Sequence, residues 1–372
     1  MAVSLSPNGR NHYDSSGPAD EVLVATANGI VSLQRSAGTW RESPRGLAGR
    51  HVGSIAIEPT RGVIFAGAHK GGPWASGDEA ERGGLWASED GGQTWERRDQ
   101  GIARSNIYGL NWVQAGDELR LYAGTEPAHL YVSTDFAESW TELPTLLEVP
   151  SREKWTFPAP PHEGHVKNIV FDPGDPNTLY VGVEVGGAFK STDAGRTWTE
   201  MSGFYEDVHR LMTVSGKPND VYMSTGHNLY HSPDRGGTWE LMPLPQDRIR
   251  YPDGLVIMPQ RPEVMFTTGA AGSPGAWRTT KDADAAIART RDAGRTWEYL
   301  TGGLPGHLHG NIEAITINAF PGGVELFAGT TDGDLFFSDD EGETWTTIGQ
   351  NLPPVAKSGH LQNLREDLVG AR

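Results

Sequence analysis

The chain of 372 residues contains no cysteine. Disulfide staples and thiolate metal sites are therefore excluded, and any metal must be held by nitrogen and oxygen ligands. No run approaches the roughly 18 apolar residues of a membrane-spanning helix. The opening MAVSLSPNGR lacks the basic-then-apolar order of a secretory leader, which gives the expectation of a cytoplasmic protein. Basic residues are scarce beside acidic ones, 31 against 48, for a net charge of −17. A surface of that sign repels nucleic acid and anionic membranes, which leaves a small-molecule or carbohydrate-like substrate as the expected partner. Composition says nothing of the oligomeric state.

What the chain has in abundance is a repeat. Six copies of Ser/Thr-x-Asp-x-Gly-x-Thr-Trp run Ser88 to Trp95, Ser133 to Trp140, Ser191 to Trp198, Ser232 to Trp239, Thr290 to Trp297 and Ser338 to Trp345. The copy at Ser133 carries Ala137 and Ser139 where the others have Gly and Thr, and it is expected to be looser. A seventh copy keeps only Gly38-Thr39-Trp40. The tryptophans are spaced by 55, 45, 58, 41, 58 and 48 residues, the length of a four-stranded propeller blade. Within each box the Asp suits a turn whose backbone amides it accepts, and Gly supplies a left-handed backbone state. Trp then offers a large apolar face to a neighbouring unit.

The residues before each box repeat as well. His165 to Pro173, Asn177 to Gly182 and Gly187 to Asp193 read as strand, turn, strand, loop, strand. The fold class expected is all-β, a seven-bladed β-propeller occupying 1–372 as a single domain. The approximate blades are 20–47, 50–101, 104–146, 164–203, 206–246, 250–303 and 309–351. The first unit begins at Glu21-Val22-Leu23-Val24, which matches the second strand of the others. His360-Leu361-Gln362 resembles the inner-strand starts at His51 and His165, so 359–368 is expected to complete blade 1 and leave no open edge.

The boxes, together with the stretch FDPGDPNTLYVGVEVGGAFKSTDAGRTW from Phe171 to Trp198, resemble the Asp-box (BNR) repeat superfamily. That superfamily includes sialidases, xyloglucan-type glycoside hydrolases, sortilin-type receptor propellers and photosystem assembly factors. The resemblance spans nearly the whole chain and implies the fold, with Asp90, Asp135, Asp193, Asp234, Asp292 and Asp340 in structural roles. It implies little about activity, because one fold hosts many functions. The Arg-Ile-Pro context of a sialidase arginine is absent, and the nearest phrase is Arg248-Ile249-Arg250-Tyr251. Sialic acid is accordingly not the expected substrate.

Loop lengths point to one face. The insertions at 70–84, 147–162 and 271–286 all fall on the side where inner strands begin, opposite the boxes. Histidines share that bias. His51, His165 and His360 occupy one repeat-equivalent position at inner-strand starts, and His227, His307 and His309 map to the same face. Together they form a candidate site for a divalent metal (Zn, Mn or Fe) at the mouth of the central channel. Glu126 and Glu184, at matching positions of blades 3 and 4, and Asp207 are the candidate catalytic carboxylates. Arg210, Arg250, Tyr251, Trp155 and Trp277 are the candidate substrate contacts, by carboxylate clamping or ring stacking.

Three functions fit these residues. One is a hydrolase or lyase with a histidine-rich, metal-assisted site at the channel. The second is a glycoside hydrolase using paired carboxylates. The third is a non-catalytic binding or assembly propeller.

Overall fold

A computed structural model of the chain describes residues 1–69, 83–244 and 247–357. Seven sheets follow one another around the fold; five are four-stranded antiparallel meanders, and those of blades 1 and 7 each gain an N-terminal strand in parallel. Blade 4 shows the unit: His165–Asp172, Asp175–Glu184, Gly187–Ser191 and Thr199–Glu200. Its second strand is a buried run of Leu179, Tyr180, Val181 and Val183, apolar on both sides because neighbouring blades cover both faces. Among the described residues no helix is long and apolar enough to cross a membrane.

The boxes hold the hairpins opposite the channel mouth. In blade 4, Asp193 accepts the Ser191 hydroxyl at 2.8 Å, the Thr197 amide at 2.9 Å and the Thr197 hydroxyl at 2.7 Å. The same three bonds recur at Asp90, Asp135, Asp234, Asp292 and Asp340. Each turn needs two consecutive residues with positive φ, such as Ala194 at 62° and Gly195 at 91°. The copy at Ser133 is not looser than the rest. Ala137 takes the left-handed state at φ 68°, and Ser139 bonds Asp135 at 3.0 and 2.6 Å. A serine hydroxyl replaces that of threonine there, so the acceptor pattern survives.

Each box tryptophan packs on the preceding blade. Trp140 of blade 3 joins the core of Phe65, Leu85 and Ala87 in blade 2, and Trp345 of blade 7 joins Phe266 and Ile287 of blade 6. Trp40 of blade 1 obeys the same rule around the circle, with its ring 5.8 Å from Phe327 and 5.5 Å from Phe337 of blade 7. The ring is thereby shut by apolar contact as well as by backbone.

Both chain ends serve the closure. The C-terminal stretch bridges blades 7 and 1: Val355 donates to the Thr330 carbonyl at 3.1 Å and Ala27 donates to that of Pro354 at 2.8 Å. The expected strand at 359–368, with His360, lies outside the described residues. On the inner side of Glu21–Thr26 stands an N-terminal strand, Ala2–Leu5, paired in parallel. The segment then crosses the channel. The Asn8 amide donates to the Gly53 carbonyl of blade 2, Asn11 Nδ2 donates to the Leu255 carbonyl of blade 6, and His12–Asp14 adds in parallel to blade 7. This plug divides the channel. Below it, on the box side, lies a cavity of about 340 Å³ lined by Arg10, Trp112, Phe171 and Arg210.

The repeated box bonds carry a direct test. Asp193→Ala removes three hydrogen bonds from one hairpin and is expected to cost about 1 kcal/mol of stability, as loss of a local capping acceptor does. Thermal unfolding checks this, and any activity of the variant is expected to match wild type.

Candidate active site at the channel mouth

Six of the seven blades begin with an inner strand whose pairing slips by one residue near its start. The unpaired residues are Gly53, Tyr108, Lys167, His209, Asp253 and Glu313, one in each of blades 2 to 7. A β-bulge of this kind re-aims one side chain and interrupts the ladder. Here five of the six send an aromatic or ionisable group to the channel. The sixth, Gly53, leaves space: a Cβ there would stand 1.9 Å from Nε2 of His69, whose ring fills the place.

The side chains meet in a continuous chain. The rings of His51 and His69 lie 4.9 Å apart, Tyr108 meets His69 edge-on at 4.2 Å, and Tyr108 stacks on His165 at 3.9 Å. Phe157, from the 147–162 insertion, closes on His165 at 4.8 Å. Beyond it, acids and imidazoles alternate. Glu126 Oε2 lies 3.5 Å from His165 Nδ1, and His165 Nε2 lies 2.6 Å from Glu184. Glu184 Oε1 lies 3.8 Å from His209 Nε2, which lies 3.4 Å from Asp207 Oδ1. Two lysines balance the buried acids: Lys167 stands 2.9 Å from Glu184, while Lys357 pairs with Asp253 and gives its amide to Glu313 at 2.6 Å.

The electrostatics follow from dryness and these partners. Burial drives His51 down to about 4, so its imidazole is neutral and Nε2–H donates to the Ala356 carbonyl. His69, sealed beside two other histidines, is pushed well below the usual value. Burial opposes the charged form of His165 too, but hydrogen bonds to Glu126 and Glu184 outweigh it and raise its pKa. Burial likewise works against ionised Glu184 and is overcome by Lys167 and His165, which hold it well below the carboxylate range. Lys167 itself is lowered by burial to about 8. Tyr251 is pushed far up by burial and by the acids at 207 and 253.

Of the residues singled out in the sequence, Glu126, Glu184, Asp207, His165 and Tyr251 are brought to the mouth, and His51 stands farther along the chain of rings. Tyr251 places its ring 4.6 Å from that of His209. Others are not where they were expected. Arg210 is buried and donates to the carbonyls of Gly9 and Pro7, so it fastens the N-terminal plug and cannot clamp a substrate. Trp155 is packed against Phe189 with its Nε1 on the Ser151 hydroxyl, and Trp277 is buried with Ala270 and Ala283. Both anchor insertions; neither offers a stacking face. Arg250 is exposed at the rim. The six histidines proposed as one metal set do not converge. His227 is exposed against Tyr205, His307 and His309 stand with Asp282 on the rim of blades 6 and 7, and His360 lies outside the described residues.

Lys167, His209 and Lys357 were not foreseen. The signal for the first two was available, since each lies two residues after a strand-start position, as do Tyr108, Asp253 and Glu313. Lys357 follows the last blade and had no repeat partner to be read against.

Two groups of side chains bring metal-ligating atoms within 4.8 Å of one another: Glu184 with Asp207 and His209 in the channel, and Asp282 with His307 and His309 on the rim. Either set could coordinate a metal.

Comparison with known proteins agrees with the geometry at the level of fold. No family model matches the chain. A xyloglucanase from Paenibacillus is 24% identical over 270 residues, covering 60% of this chain and 25% of that protein. A xyloglucanase from Acetivibrio thermocellus is 26% identical over 292 residues, 67% of this chain and 32% of that protein. Among solved structures, the GH74 xyloglucanase from Xanthomonas campestris superposes with a TM-score of 0.65 at 18% identity, over 88% of this chain and 52% of that one. An ancestral GH74 enzyme gives 0.63 at 19% identity, over 84% and 40%. The chain resembles xyloglucanase-like GH74 propellers. It spans about a quarter to a third of the length of the curated relatives it matches.

The buried charge pairs make a prediction. Lys357→Met removes the ammonium that pairs with Asp253 in a dry channel and is expected to cost about 3–5 kcal/mol, as breaking a buried pair does. Denaturant unfolding of wild type and variant measures it.

Proposed function

We propose that the protein is a carbohydrate-active hydrolase that works with paired carboxylates at the channel mouth, Glu126 on one side and Asp207 on the other. The observation that carries this reading is the alternating chain Glu126, His165, Glu184, His209, Asp207. Glu184, Asp253 and Glu313 are sealed and offset by the two lysines, whereas the side chains of Glu126 and Asp207 keep 10% and 15% exposure. They are the channel acids of that chain that a substrate can reach.

Their surroundings favour different roles. Burial raises Glu126, but bonds from His165, Asn106 and Tyr108 lower it below the ordinary value, so it is ionised near neutral pH. An ionised carboxylate suits the general base that takes a proton from attacking water. Asp207 Oδ1 stands 3.4 Å from His209 Nε2. His209 Nδ1 lies 2.7 Å from the Pro252 carbonyl, an acceptor, so Nδ1 carries the hydrogen. Nε2 then faces Asp207 and Glu184, both acceptors when ionised, and a proton between them relieves the contact. That proton is available to a departing glycosidic oxygen. Glu184, fixed by Lys167, holds the two imidazoles in register.

The runner-up is a metal-assisted hydrolase, with the ion at Glu184, Asp207 and His209. The same crowding of acceptors at His209 Nε2 favours it. The Lys167 ammonium, 2.9 Å from the Glu184 oxygen that would ligate, opposes it, because a second cation there meets direct repulsion.

Hydrolysis of xyloglucan and shorter β-linked glucans, followed by reducing-end release, tests the proposal. Wild type is expected to cleave at least one of them, and Glu126→Gln and Asp207→Asn are each expected to lower kcat by about 10²-fold or more with unchanged melting temperature. A wild-type protein inert to the whole panel, or variants as active as wild type, contradicts it.

A further inference from the structure

The second ligand cluster lies away from the channel, where the 271–286 insertion returns to blade 6. We propose that Asp282, His307 and His309 form a zinc site on the rim of blades 6 and 7, with Asp284 orienting His307 behind it.

The backbone sets the site before any ion arrives. Ala283 donates to the His309 carbonyl at 2.8 Å and Ala285 donates to that of Leu308 at 3.0 Å, so the segments 282–285 and 307–309 run side by side. Leu308, between the two histidines, is buried in the apolar core of blades 6 and 7. With Leu308 turned inward, its neighbours are left on the outer side, their rings 4.4 Å apart. Three ligands on two tethered segments lose less freedom on binding than three on independent loops.

The distances fit the ion. His307 Nε2 lies 2.9 Å from Asp282 Oδ1 and His309 Nδ1 lies 3.4 Å from the same oxygen. A tetrahedral zinc with bonds of about 2.0–2.1 Å has ligand-to-ligand edges of roughly 3.3 Å. Two of the three ligand edges thus lie near that value, and the third is within 4.8 Å. Two imidazoles and one carboxylate are the donors zinc accepts when no thiolate is present, and a fourth position stays open to water.

The supporting shell is present too. His307 Nδ1 lies 3.3 Å from Asp284, and Asp284 is held by Arg248 at 3.2 Å. A carboxylate behind the ligating imidazole fixes its tautomer and strengthens it as a donor. Asp282 also accepts the Asp284 amide at 3.1 Å, which orients its oxygens towards the histidines. In contrast with the channel set, none of the three ligand atoms has a lysine or arginine ion pair among the described residues. The zinc would pin the end of the insertion to the blade 6–7 edge without entering the proposed hydrolytic centre.

The experiment uses the full chain, free of any polyhistidine tag and stripped with chelator. Zinc titration by calorimetry at pH 7.5 is expected to show binding that His307→Ala with His309→Ala weakens at least 100-fold. Asp284→Asn is expected to weaken it about 10–100-fold. Asp207→Asn is expected to bind as wild type, which separates the rim from the channel. Zinc is also expected to raise the melting temperature of wild type and not that of the double variant, whose melting without metal reports its folding. Failure of wild type to bind zinc, equal binding by the double variant, or loss in Asp207→Asn with retention in the double variant overturns the proposal.

Discussion

A β-bulge at the same register position in six inner strands is the constraint on which the channel mouth depends. Regular antiparallel pairing would turn alternate residues between neighbouring blades and leave the channel lined largely by backbone. One extra residue per strand breaks that alternation near the strand start and turns a side chain inward. Five such side chains, with Gly53 leaving room for His69, line the mouth, and a propeller brings them together from positions 53 to 313. The chemistry of the mouth is therefore a property of the repeat, while the identity of each bulged residue is free to vary.

Such a lining is expensive to desolvate, and its composition answers that cost. Glu184 and Asp253 are each paired with a lysine, Glu313 receives a backbone amide, and His51 and His69 are held neutral by burial. The two chain ends share the work. Lys357 comes from the C-terminal side, and the N-terminal segment crosses below, fastened by Arg210. The plug separates an acid- and imidazole-lined mouth from a cavity on the box face, where Arg10 sits 4.6 Å over the Trp112 ring. The proposed site at Glu126 and Asp207 lies on the side that carries the 147–162 and 271–286 insertions.

The blade count was legible because box tryptophans recur at blade-length intervals and each must pack on a neighbour. Asp207 was legible because inner-strand starts ring a channel whatever their residue type, and Glu126 and Glu184 because they hold matching positions at the ends of the second strands in blades 3 and 4. The bulged column was legible only as a position: Gly53, Tyr108, Lys167, His209, Asp253 and Glu313 differ in residue type, so no motif marks them, and their shared place two residues after an inner-strand start was the one signal the sequence offered. Trp155, Trp277 and Arg210 were misplaced for a related reason. Position on a loop or strand fixes neither whether an indole faces water or its own anchor, nor whether a guanidinium meets substrate or a passing carbonyl. The N-terminal strand escaped notice because MAVSLSPNGR repeats nothing else in the chain, and its parallel pairing lies outside the meander rule.

Locating a bound oligosaccharide tests the account most directly. A crystal structure of the Asp207→Asn variant soaked with a xyloglucan oligosaccharide is predicted to show a glycosidic oxygen within hydrogen-bond reach of residue 207 and the sugar ring beside Glu126 at the channel mouth. Sugar bound in the box-side cavity against Trp112 and Arg10, with the mouth empty, would contradict it.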